Sequence, residues 1–238
     1  MEGTELGAGV LFHLGPLPIT DTVVTTWAIM LCFAAAAWAL SRWLRPEPLA
    51  WQVAVEAIVA TIEAAIVEVL PGNARRVMPF VATLWLFVLA ANLAGLVPGV
   101  HAPTRDLSAT AALAVLVFGS THWFGIRAKG LSGYLRHYVE PSVILMPFHV
   151  VSELTRTVAL AIRLFGNMMS LEMAALLVLL IAGFLVPVPL LMLHVVEALV
   201  QAYIFGMLAL IYIAGALEPV ESEPARQPSE PRPPKETP

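Results

Sequence analysis

Residues 147–183 run without a strong helix breaker, and that length is the tightest constraint on what the chain can fold into. As one helix the stretch measures about 55 Å, against a hydrocarbon core of ~30 Å. Such a helix must tilt steeply, project out of the bilayer, or bend, and Gly166 is the natural place for a bend. The run is apolar yet carries Arg163, Asn167 and Glu172, and the apolar run after it carries His194, Glu197 and Gln201. An arginine at membrane depth costs ~2.5–3.5 kcal/mol on insertion scales. A chain keeps one there only where it faces water, a partner or an ion path.

Composition supports the bilayer as solvent. Of 238 residues, 59% are hydrophobic and 13% charged, which leaves too little polar surface for a soluble domain of this size. The fold class is therefore an all-α integral membrane protein, with a membrane domain over 22–217. The single cysteine, Cys32, excludes a disulfide within the chain. The only lysines are Lys129 and Lys235, and no basic patch alternates with aromatics, so a nucleic-acid partner is excluded. No phosphate-binding loop and no His-Glu-x-x-His metal motif occurs, so the chain hydrolyses nothing by those routes. No cofactor or metal is implied. An internal repeat, the signature of many secondary transporters, is missing.

In order, residues 1–21 form an external N-terminal segment without Lys or Arg, unlike a secretory signal. The first span, 22–43, ends in Arg42 and Arg45, and the positive-inside rule places that end in the cytoplasm. Residues 49–70 are apolar but carry Glu56, Glu63 and Glu68, and Glu56 and Glu63 share a face. They read as an interfacial helix, with a poor transmembrane helix as the competing reading. Arg75 and Arg76 again mark the inner side. The second span is 77–97, and its Asn92 wants a partner on a neighbouring helix, as interhelical glue or as part of an ion route. The loop that follows is external, and its Arg105 violates the charge rule. The third span, 107–126, leads into the most basic loop, with Arg127, Lys129 and Arg136. The long run 147–183, a turn over 184–189 and a return helix over 190–217 complete five spans, the last two long, tilted and antiparallel. Residues 218–238 are rich in Pro, Glu and Ser and read as a disordered cytoplasmic tail.

On a helical wheel, His149, Ser152, Arg156, Asn167 and Ser170 all lie within about 40° of Arg163. A core helix fills such a stripe with apolar side chains, so this one faces water or a partner. Arg156 sits about 10.5 Å nearer the inner end and can snorkel there or pair with Glu153. Arg163 has neither escape. Glu172 lies about 180° round and ~13.5 Å further along, so it meets a different wall. On the return helix His194, Glu197 and Gln201 share one face. One antiparallel register serves both Glu172 with His194 and Arg163 with Gln201, provided the helices slide by about a turn. Glu and His can relay protons, whereas Arg cannot deprotonate and acts as a fixed positive barrier. Gln and Asn orient a guanidinium or bind water. The set describes a proton or cation route interrupted by a permanent charge. Bland alternatives stay open beside it: a structural Glu172–His194 pair, Glu197 as a partner of His194 or Gln201, and a solvated face for His149, Glu153 and Arg156.

Arg163-Leu-Phe-Gly-Asn167, Glu172 nine residues after the arginine, and Gln201-Ala-Tyr-Ile-Phe seven after His194 resemble subunit a of the F-type rotary ATP synthase. The stretch Phe87-Val-Leu-Ala-Ala-Asn-Leu-Ala-Gly-Leu-Val-Pro98 is similar to that family too. The resemblance implies a stator in the plasma (inner) membrane of a bacterium, N-terminus outside and C-terminus inside. Its partners are a ring of c subunits, the peripheral-stalk b subunits and the lipid. Arg163 then matches the arginine that meets each rotor carboxylate and blocks leakage between two offset half-channels for protons or Na⁺. Glu172 and His194 match the external half-channel, and Asn167 and Gln201 match polar residues around the arginine. His149 stands where relatives carry an acid on the inner route, and Glu153, one turn on, is the substitute. Glu197 and the Pro-rich tail depart from the family pattern and look similar to a divergent bacterial branch, the N-type, associated with sodium. The competing classes are a stand-alone ion antiporter or channel, and a b-type haem anchor using His122 with His194 or His149.

Overall fold

The computed structural model describes residues 10–14, 17–43, 50–97, 100–139, 146–182 and 187–217. A two-stranded antiparallel hairpin, β1 (Val10–Leu14) and β2 (Leu17–Thr20), precedes six helices. These are α1 (Asp21–Trp43), α2 (Ala50–Val69), α3 (Ala74–Ala94), α4 (Leu107–Val139), α5 (Met146–Ala182) and α6 (Pro187–Leu217). A single 3-10 turn, Pro103–Arg105, links α3 to α4.

Four of the helices start where the chain supplies a start. Asp21 accepts a hydrogen bond from the Thr22 N–H at 2.8 Å at the head of α1. Asp106 caps α4 by accepting from the Ser108 N–H at 2.9 Å, satisfying one of the amides that a helix leaves open. Pro147 and Pro187 lie in first turns, where a missing N–H costs nothing. That corrects the expected turn over 184–189: Pro187 opens α6 instead of closing the loop. α5 continues through Gly166 unbroken, so the great length of the run is real and the bend is not taken.

α4 also departs from expectation. The basic stretch after residue 126 is helical, and the chain turns a corner at Gly130, where φ is 74° and ψ 160°. A side chain there would be strained, and glycine removes the clash. The N-terminal segment likewise holds a hairpin that no periodicity announced. Residues 218–238, expected to be disordered, lie outside the described residues.

α6 is the central helix. It packs against α2, α3, α4 and α5, with Phe205, Leu210 and Ile213 fully buried among Val81, Val88, Leu160 and Leu164. Gly206 lets it lie directly on α3, because a Cβ there would meet the Trp85 ring at 2.8 Å. The rim is the reverse of a soluble protein's. Leu31, Trp38, Phe148, Leu180, Ile181 and Met192 all stand more than half exposed. Six helices are long and apolar enough to cross a membrane, α2 included. An apolar surface of that extent is stable only in lipid or against other membrane subunits. The chain is an all-α integral membrane protein.

Candidate functional site

Arg163 lies near the middle of α5, on its exposed face, among Val158, Ile162 and further exposed apolar side chains of the same helix. It makes no hydrogen bond or ion pair among the described residues. Ser152, Arg156 and Ser170 share that exposure, as does His149, so the polar stripe does face outward from the bundle. Asn167, one turn on, leans inward and donates from Nδ2 to Gln201 Oε1 at 2.8 Å. Gln201 is buried in α6. The two amides therefore clamp α5 to α6 directly beside the arginine.

Towards the end of the bundle that carries the Pro103–Arg105 turn, the polar groups are enclosed. His194 is buried, and its Nε2 lies 3.1 Å from the Asn92 carbonyl. A carbonyl only accepts, so Nε2 carries the hydrogen. Asn92 returns the link by donating from Nδ2 to the Ala198 carbonyl at 3.4 Å. The ladder His194, Ala198, Gln201 thus runs down one face of α6 towards the level of Arg163. Among the described residues, three buried polar atoms on this side have no protein partner: Asn92 Oδ1, Thr104 Oγ1 and Gln201 Nε2. Buried polar atoms are nearly always satisfied, by water where not by protein.

The expected pairing of Glu172 with His194 is corrected. Glu172 Oε1 meets Arg105 Nη1 from the turn, while His194 turns to α3. The anticipated Arg163–Gln201 pairing is replaced by Asn167–Gln201, a register close to the expected one. Wheel geometry already put Glu172 on a different wall from Arg163, and that wall is the turn. The same segment is clipped to α1, where His101 Nδ1 lies 3.0 Å from Asp21 Oδ2. Glu197 is half-buried on α6 and makes no hydrogen bond among the described residues.

Towards the Gly130 end the picture opens. A cavity of ≈ 400 Å³ lies between α4, α5 and α6, lined among others by His149, Glu153, Arg156, Thr157, Tyr134 and Tyr212. The Arg156 guanidinium stands 5.6 Å from the centre of the Tyr212 ring, a cation–π distance. His122 Nδ1 donates to the Phe118 carbonyl at 2.9 Å and faces Glu153 Oε1 at 3.6 Å. So Arg156 does not pair with Glu153 as the sequence spacing allowed; it lies over Tyr212, with Ser152 at 3.4 Å. His122 and His194 belong to different clusters, which removes their pairing as haem ligands. Sequence reasoning missed Arg105, Tyr134 and Tyr212 as site residues. The signal for Arg105 was its breach of the charge rule.

Comparison with known proteins agrees with this architecture. A family model described as ATP synthase A chain matches residues 22–214. A protein of Pelobacter propionicus named ATP synthase subunit a 2 is 64% identical over 220 residues, 92% of this chain and 96% of that protein. Hahella chejuensis has an ATP synthase subunit a 1 that is 61% identical, covering 85% of this chain and 86% of its own. An ATP synthase subunit a of Legionella pneumophila (strain Paris) is 54% identical over 84% of this chain and 87% of its own.

Proposed function

We propose, for a chain that belongs to the ATP synthase A chain family, that Arg163 is the fixed charge keeping two dead-end ion routes apart. The chain is a membrane-sector subunit of an ATP synthase, translocating ions without being a catalyst by itself. The finer reading makes it the stator beside the c-subunit ring, held by the b subunits, in a bacterial inner membrane with its N-terminus outside. On the outer side, the ion enters past Glu172, passes His194 and Asn92, and reaches Asn167 and Gln201. On the inner side, the cavity around His149, Glu153 and Arg156 opens to water.

One observation carries this reading: Arg163 has no ion-pair partner among the described residues and stands on an apolar outer face, with a polar cluster on either side of it. An unpaired guanidinium in hydrocarbon is costly, so the face calls for an anionic partner from outside the chain. A rotor carboxylate supplies one. It releases its ion while paired with Arg163 and reloads after moving off. The arginine cannot give up its proton, so no ion passes straight from one route to the other. Whether the ion is a proton or Na⁺ is decided on the rotor, where it is bound.

The test is Arg163→Ala in the whole complex. Coupled transport and ATP synthesis are expected to vanish while the complex still assembles, and normal coupled synthesis would sink the proposal. Ion flux through the purified chain without any ring would point instead to a stand-alone channel. Na⁺ dependence of ATP-driven transport in vesicles identifies the coupling ion.

A further inference from the structure

The geometry points to Arg105 as a positioning residue for ion entry, acting through Glu172; this rests on the reading of Glu172 as a group of the outer route. Arg105 is the last residue of the 3-10 turn, and its neighbours fix it. Its own N–H donates to the Ala102 carbonyl at 3.1 Å, and that of Asp106 donates to Pro103 at 3.1 Å. Asp106 is spent on capping α4. Thr104 is fully buried, and His101 is tied to Asp21 of α1. The turn is thus fastened to α1, α4 and the bundle interior before its arginine reaches out to α5.

What the guanidinium meets is the one carboxylate of α5 on that wall. The side chains are 19% and 28% exposed for Arg105 and Glu172, so the pair is less screened than a surface ion pair. Contact is through Glu172 Oε1 alone, and Oε2 has no partner among the described residues. The carboxylate is therefore held by one oxygen and offers the other.

Two consequences follow from charge and geometry. Without Arg105 the site would hold an uncompensated, half-buried negative charge, which would trap a passing cation instead of handing it on. The long Glu172 side chain would also lose the contact that fixes its rotamer. Other charged or titratable groups near this end are engaged elsewhere: Asp106 with Ser108, His101 with Asp21, His194 with Asn92. Glu197 stands on α6, on the face it shares with His194. Among the described residues, Arg105 is the one cation paired with Glu172. A positive residue that topology rules disfavour outside is thereby given a task.

The experiment is a double-substitution cycle on ATP-driven ion transport in vesicles carrying the whole complex, with the amount of assembled complex measured alongside. Arg105→Ala is expected to slow transport about tenfold at unchanged assembly, the order suited to a half-screened pair. Arg105→Lys should recover transport to within about threefold, since it keeps the charge but loses the planar fork. In a Glu172→Gln background, Arg105→Ala should cause no further loss, because its target charge is gone. Equal fold losses in both backgrounds, or wild-type transport in Arg105→Ala, would overturn the inference. Should Arg105→Ala reduce assembly, repair by Glu172→Gln supports the pairing, and failure of that repair assigns Arg105 a purely structural role. Arg163→Ala run in parallel separates the two readings. If it abolishes transport while Arg105→Ala does nothing, only the role of Arg105 falls.

Discussion

The two polar regions on either side of Arg163 are built in opposite ways. Towards the Pro103–Arg105 turn, the polar side chains are enclosed and several are tied to a named neighbour: Glu172 to Arg105, His194 to the Asn92 backbone, Asn167 to Gln201. Towards Gly130 lies a cavity of ≈ 400 Å³ with room for water, the inner route on the proposed reading. The contrast teaches where residue identity matters. An enclosed route works only through the side chains that line it, because an orphaned polar group there costs ~1–3 kcal/mol. A roomy cavity lets water replace any one side chain. That accounts for His149 standing where the family resemblance leads one to expect an acid, with Glu153 on the same cavity wall.

Gln201→Leu is the strongest way to break the comparison. It leaves the Asn167 amide unpaired and removes a buried donor, and transport should fall roughly tenfold to a hundredfold. A fall of less than twofold, measured as ATP-driven transport in vesicles, would mean that the enclosed side is not the narrow one. His194→Ala comes next, at about tenfold, since it cuts the α6–α3 link and the relay together. On the open side Glu153→Gln should cost only about threefold, with water substituting for the lost carboxylate. A loss matching that of Gln201→Leu would erase the distinction between the two regions. The smallest effect sharpens it. Thr104→Val keeps shape and removes a buried hydroxyl that has no protein partner among the described residues. If that hydroxyl binds water of the outer route, transport drops about twofold; unchanged transport with higher thermal stability would mark the turn as dry.

Most of the helical frame was legible because length and hydropathy are local properties of the chain. The helices expected over 22–43, 49–70, 77–97, 147–183 and 190–217 lie within a few residues of α1, α2, α3, α5 and α6. By contrast, α4 runs well past the expected 107–126, and α2 is as capable of spanning as the other five. Gly130 shows why the far end of α4 escaped: arginines and a lysine suggest a loop, yet a glycine corner lets the chain change direction and stay helical on both sides. The stripe around Arg163 could be read off a wheel because it lies on one helix. Pairings between helices could not. Glu172 with Arg105 depends on where an irregular turn sits in space, and no periodicity encodes that. Asn92 was expected to find a partner on a neighbouring helix, as glue or as part of an ion route; its side chain donates to the Ala198 carbonyl, and its backbone carbonyl takes His194 Nε2.

The contact of Gly206 with Trp85 has a mechanical meaning. On the proposed stator reading, this wall stands beside a turning ring that pushes it sideways at each step, and a compliant wall would absorb torque that should reach the stalk. Here the α6 backbone bears straight on a broad indole of α3, with no flexible side chain between them to act as a spring. Lateral load on the arginine face passes from α5 through the Asn167–Gln201 clamp into α6, and from there into α3. The smallest side chain in the bundle is what makes the brace stiff.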